Sequence, residues 1–137
     1  MAESTILEFQ PEYELVWENP NYSSSSGFAA QTISLDLSGY TFVKVEAHLS
    51  EADHTRGESP IIPIHDGPVS SNVKFLTCMS SNIYNTASTG NPYAYTRAIY
   101  ASEIGVTFGA AYRRNMSSTS AGTTNTNWVI PTRIWAF

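Results

Sequence analysis

Along this chain the apolar residues recur at every second position far more often than at helical spacing. In "QTISLDLSGY", Ile33, Leu35 and Leu37 share one face while Thr32, Ser34 and Asp36 share the other. In "TFVKVEAHLS", Val43, Val45, Ala47 and Leu49 point one way and Lys44, Glu46 and His48 the other. A period of two marks a half-buried strand, because successive side chains leave a strand on opposite faces. Ser38-Gly39-Tyr40 between the two runs is a turn signal, so the pair reads as a hairpin. "YELVW" places Tyr13, Leu15 and Trp17 inward. "PIIPIH" and "NVKFLTCM" follow as strands, the first pushed to a sheet edge by Pro60 and Pro63, which cannot donate to a ladder. "AYTRAIYAS" and "IGVTFGAAY" form another hairpin around Ser102-Glu103. In its second arm Ile104, Val106, Phe108, Ala110 and Tyr112 make one face, and Gly105, Thr107, Gly109 and Ala111 make a face of small residues that admits a close neighbour.

These runs place strands near 13–18, 30–37, 42–49, 60–65, 72–79, 94–101, 104–112 and 127–136. With no helical run between them they predict an all-β fold, an eight-stranded antiparallel β-sandwich of jelly-roll type. The expected core includes Trp17, Ile33, Leu35, Val43, Val45, Phe75, Ile99, Val106 and Phe108. No linker or composition break divides residues 1–137, so one domain is expected, with a short extended arm over residues 1–12. If each connection reverses the chain, the odd-numbered connections (19–29, 50–59, 80–93 and 113–126) emerge together at one end. The short connections and both termini then fall at the other.

Charge narrows the function. Charged residues are 14% of the chain, against roughly 25% in an average soluble protein, and 42% are hydrophobic. The surface is therefore neutral and polar. A net charge of −5 with seven dispersed basic residues argues against nucleic acid, whose phosphates demand clustered Lys and Arg. Apolar runs are too short for a membrane-spanning helix, which needs roughly 20 residues. "MAESTILEFQPEYE" lacks the basic start and long apolar stretch of a secretory signal, so the chain is expected to be made in a cytosol.

Catalytic signatures are absent from the pattern. There is no G-x-S-x-G, the three histidines sit among many serines, and Cys78 is the sole cysteine. "EAHLSEADHTRGE" gathers His48, Glu51, Asp53, His54 and Glu58, with His65-Asp66 soon after, which invites a metal reading. The simpler reading is a hydrated loop carrying the chain's scarce charges. The expectation is thus no enzyme, no cofactor and no metal. A pair of acids for glycoside hydrolysis cannot be placed among Asp36, Asp53, Asp66 and Glu103 from the sequence.

Recognition chemistry is more visible. Tyr22, Asn82, Tyr84, Asn85, Asn91, Tyr93 and Asn115 fall in the long connections, and rings with amides suit a neutral glycan, whose apolar faces stack while its hydroxyls hydrogen-bond. The alternative is ordinary loop chemistry, with rings packed back on the sheet. At the other extreme, "NTNWVIPTRIWAF" carries Trp128, Ile130, Ile134, Trp135 and Phe137. These exceed what one small domain easily covers, so the last strand is expected at a subunit interface about a threefold axis. A strand buried in its own subunit is the alternative.

Several segments, "WENPN", "FAAQTISLDLSGY" with "VKVEA", "YTRAIYAS" with "GVTFGAAY", and "VIPTRIWAF", together resemble small β-sandwich virion proteins and fibre-tip domains of tailed bacteriophages of Gram-positive and gut bacteria. The resemblance spans most of the chain and is carried by core and turn positions: Trp17, Asn19, Pro20, Leu35, Asp36, Leu37, Gly105, Phe108 and Pro131. It implies a virion component, often a homotrimer, assembled in the host cytoplasm beside other virion proteins. Such a module acts as a fibre or spike or as a capsid or tail decoration, and the resemblance supplies no receptor; contact with host surface polysaccharide is the expectation from the loop rings and amides, with a glycan-degrading spike as a further alternative. The charged stretch 50–66 departs from that pattern, and its role does not carry over.

Overall fold

A computed structural model describes residues 12–21, 27–50, 56–66, 77–85, 92–117, 119 and 122–137, with only the backbone described for 50, 77–85 and 92. Among these residues the protein is all-β, with ten strands and no helix. In chain order they are β1 (Glu14–Glu18), β2 (Gln31–Ser34), β3 (Phe42–Ser50), β4 (Arg56–Glu58), β5 (Ile62–Pro63), β6 (Thr77–Asn85), β7 (Pro92–Ser102), β8 (Gly105–Asn115), β9 (Thr123–Thr124) and β10 (Trp128–Ala136). They form two antiparallel sheets. Sheet A runs β1-β10-β3-β4, with β5 also on β3; sheet B runs β2-β8-β7-β6, with β9 also on β8.

The strand expectations differ from this in instructive ways. The run 60–65 shortens to β5, and β4 precedes it; both pair with β3, and Ser59 sits between them, its Oγ accepting from the Val45 amide and donating to the Pro60 carbonyl. Pro63 does lie at an edge, as its missing donor requires. Strands β6, β7 and β8 reach further into the expected loops 80–93 and 113–126, and β4 into 50–59, because backbone ladders continue regardless of polar side chains.

One core lies between the sheets. Val43, Val45, Ala47, Leu49, Ile130 and Ile134 from sheet A meet Ile99, Ala101, Val106 and Phe108 from sheet B. Trp17, Ile33 and Leu35 are half-buried against it, and Phe75 lies outside the described residues. Tyr13 and Leu15 do not point inward: they are exposed, because a register shift between Leu15 and Trp17 resets the alternation of edge strand β1, and Val16 and Trp17 supply the packing. A second shift, between Arg97 and Ile99 opposite β8, puts Ala111 in the interior and leaves Tyr112 exposed.

The closing strand β10 is an interior strand of sheet A, between β1 and β3. Ile130 and Ile134 are spent in the chain's own core at 1% and 0% exposure, which corrects their assignment to a subunit interface. Trp128, Trp135 and Phe137 are half-buried. Pro131, unusual within a sheet, sits at the bulge between Pro131 and Arg133, where the ladder is already broken. Asn19 clamps this bulge: its amide side chain donates to the Pro131 carbonyl at 2.9 Å, its backbone N–H to Thr132, and its Oδ1 accepts from Asn21.

Arg97 holds the two sheets together at one end. Only 1% exposed, it donates through Nε to the Val129 carbonyl (2.8 Å), through Nη1 to Gly109 (2.8 Å), and through Nη2 to Phe28 (2.9 Å) and Trp128 (3.0 Å). Its guanidinium carbon lies 5.3 Å from the Phe28 ring centre. Burial pushes its pKa down to about 10, so the group is still charged at neutral pH. Val129, at φ 45°, occupies a left-handed conformation that is strained for a β-branched residue and is pinned by this bond.

Candidate functional site

The strand registers place the long connections. Glu18, Ser50 and Trp128 in sheet A and Tyr93 and Asn115 in sheet B lie at the end that Arg97 ties. At the opposite end the Thr41 and Phe42 amides donate to the Phe137 carbonyl, Leu37 bonds to Glu103, and His65 bridges to Ser102. Connections 19–30, 51–55, 86–91 and 116–127 therefore leave from one end.

Three of the expected ligand residues meet there. Tyr84 on β6, Tyr93 on β7 and Asn115 on β8 are successive partners across sheet B, with Asn85 opposite Pro92. Asn82 falls on β6 where the register shifts between Ser81 and Tyr84. Tyr22 and Asn91 lie outside the described residues. Tyr93 packs partly on the core, and Arg113 is held between it and Trp128, its guanidinium carbon 4.8 Å and 4.7 Å from the two ring centres. Tyr95 meets Trp128 edge-on at 5.7 Å. Asn115 accepts the Ser117 amide through Oδ1. The Tyr93, Tyr95 and Trp128 rings and Asn115 thus form a corner, with the Arg113 guanidinium stacked among them.

A second feature was not foreseen: the outer face of sheet A. The alternation of Lys44, Glu46 and His48 was legible, but its partners lie on strands distant in sequence. Glu18, Arg133, Glu46 and Glu58 align as successive partners across β1, β10, β3 and β4. Arg133 Nε bonds Glu18 at 2.8 Å and its Nη1 lies 3.6 Å from Glu46, while Lys44 pairs with Glu58 at 2.5 Å. The Glu58 hydrogen bond raises the Lys44 pKa. His48 and Arg56 are partners in the next row. Glu46, His48, Arg56, Glu58, Thr132 and Arg133 line a cleft of about 300 Å³. Glu46 and Glu58 also border an adjoining hollow of about 320 Å³ with Tyr13, Lys44 and Trp135. This corrects the reading of 50–59 as a loop in its described part: Arg56–Glu58 is a strand, and its charges face those of β3.

The metal grouping is not assembled by the described part of this stretch. His48 and Glu58 share the outer face of sheet A, whereas His65 stacks on Tyr100 with ring centres 5.3 Å apart; Glu51, Asp53 and His54 lie outside the described residues. Asp36 accepts both the backbone and hydroxyl of Ser38, which lowers its pKa and makes it a turn residue.

No family model, curated protein or solved structure matches the chain. The likeness to phage virion proteins therefore rests on the sequence motifs alone, and the structure gives several of them structural duties: Asn19 the bulge clamp, Asp36 the turn, Phe108 the core.

Proposed function

We propose that the chain is a non-catalytic module of a bacteriophage virion, of fibre or spike type, that touches host surface glycan through its long-connection end. In this reading the two sheets are a jelly-roll-like sandwich of eight antiparallel runs, with β4 and β5 one interrupted run and the two-residue β9 a short addition beside β8. The observation that carries it is the alignment of Tyr84, Tyr93 and Asn115 across three adjacent strands beside the Tyr93–Arg113–Trp128 stack. Residues scattered through 31 positions of sequence become one corner, on a rigid scaffold of the kind that carries recognition. Copies associate as a homotrimer through the half-buried Phe137 and the exposed Phe42 beside it, and multivalency strengthens weak contacts.

The test is adsorption of the purified protein to host cells before and after Tyr84→Ala with Asn85→Ala, with circular dichroism to confirm folding. Loss of adsorption with the fold intact is expected. Unchanged adsorption sinks the binding end, and antibody labelling of virions without cell binding would make the chain a capsid or tail decoration instead. Depolymerisation of cell-surface polysaccharide by the protein would overturn the non-catalytic reading.

A further inference from the structure

Glu46 and Glu58 stand directly opposite each other on β3 and β4. Like charges so placed on neighbouring strands repel, and stability alone would favour an opposite pair. Each is instead held by a cation from a different position, Glu58 by Lys44 and Glu46 by Arg133, which Glu18 holds in turn. The carboxylates are thereby fixed in orientation with oxygens still able to accept hydrogen bonds from outside.

We infer that the outer face of sheet A is a binding site for an uncharged oligosaccharide, with Glu46 and Glu58 at its centre. The charges across it cancel: Glu18, Glu46 and Glu58 against Lys44, Arg56 and Arg133, three of each sign. That balance disfavours polyanions and polycations alike, yet it supplies acceptors and donors in fixed positions. Sugar hydroxyls are both donor and acceptor, and match such a surface. Arg56 has no ion-pair partner among the described residues and offers its donors at one end of the cleft. Beyond the two glutamates, Trp135 and Tyr13 border the adjoining hollow and present rings on which an apolar sugar face can stack. His48, 3% exposed although it lies on the outward side of the alternation, closes the floor. The two hollows share both glutamates, so one short saccharide chain can run from Arg56 to Trp135 across them. This assignment takes its ligand class from the glycan-binding reading above but places the contact on a different face.

The experiment is an NMR titration of the isotopically labelled full chain with maltotriose, chitotriose and a galactose trisaccharide in turn. Saturable shifts at the Gly57, Glu58 and Thr132 amides and the Trp135 indole N–H with at least one sugar are expected. Glu58→Gln and, separately, Trp135→Leu should each weaken that binding about tenfold while the spectrum remains that of the folded protein. Shifts confined to Tyr93, Asn115 and Trp128 overturn this site and leave the long-connection end standing. Shifts at Gly57 that neither variant weakens overturn the assigned chemistry. No shifts with any of the sugars overturn the site, while the adsorption assay still judges the other end independently.

Discussion

Arg97→Met removes a guanidinium that is 1% exposed and leaves an unbranched apolar side chain in its place. Two effects oppose each other. Desolvation disfavours the buried cation, whose pKa is pushed down to about 10, and its relief is worth roughly 3 kcal/mol. Replacing a buried charge by an apolar residue can therefore stabilise a protein, as it does where an ion pair is exchanged whole. Here the partners are four backbone carbonyls, of Val129, Gly109, Phe28 and Trp128, and they stay behind. Charged hydrogen bonds contribute roughly 1.5–3 kcal/mol each, so losing four outweighs the relief of desolvation and leaves a net loss of about 3–9 kcal/mol. That is comparable with the total stability of a domain, about 5–15 kcal/mol. Urea denaturation followed by tryptophan fluorescence should show the variant unfolded or its midpoint sharply reduced, and Arg97→Lys should fall between, since an ammonium lacks the planar fork. A loss below about 1 kcal/mol for Arg97→Met would refute the reasoning, showing that the carbonyls find other donors.

Further outcomes follow from other parts of the fold. Ile134→Ala, at a site 0% exposed, should cost about 2–5 kcal/mol by urea denaturation; Phe42→Ser with Phe137→Ser should instead shift light scattering towards monomer with little loss of stability. Gly105→Ala should cost about 1–3 kcal/mol, because φ is +149° and the added Cβ would press on the Ile33 carbonyl; chemical denaturation would read it. Tyr40, whose hydroxyl bonds Glu14, and Lys44, bonded to Glu58, both have raised pKa values. Their stabilisation is complete below their ordinary values of 10.0 and 10.5 and is lost as pH rises through the folded ones, so the melting temperature should fall in that alkaline range and Glu58→Gln should remove the Lys44 share. Asp36 has the opposite sign: its pKa is lowered, so its contribution holds above 3.8 and is lost as pH falls through the folded value, and Ser38→Ala should weaken that acid dependence in thermal melts.

Local alternation was enough to reveal the strand class and the inward residues of β3 and β8 as far as Phe108, because a strand with one buried face must place an apolar residue at every second position. The Ser102-Glu103 reversal was legible for the same kind of reason, since the turn joins neighbours in sequence, and β7 ends and β8 begins around it. Alternation failed where a register shift intervenes, as at Leu15–Trp17, since the extra residue that flips the faces has no compositional mark. Arg97 carries no local signal: its four acceptors come from Phe28, Gly109 and the start of β10, and nothing beside it in sequence announces them. The C-terminal residues were seen as needing cover, but β10's place between β1 and β3 pairs segments far apart in the chain, β3 ending at Ser50 and β10 beginning at Trp128, and that pairing, together with the opposing sheet, buries Ile130 and Ile134. The outer face of sheet A is the extreme case. Glu18, Arg133, Glu46 and Glu58 become a row only when four strands from the start, middle and end of the chain lie side by side, because cross-strand neighbours are set by register and not by sequence distance.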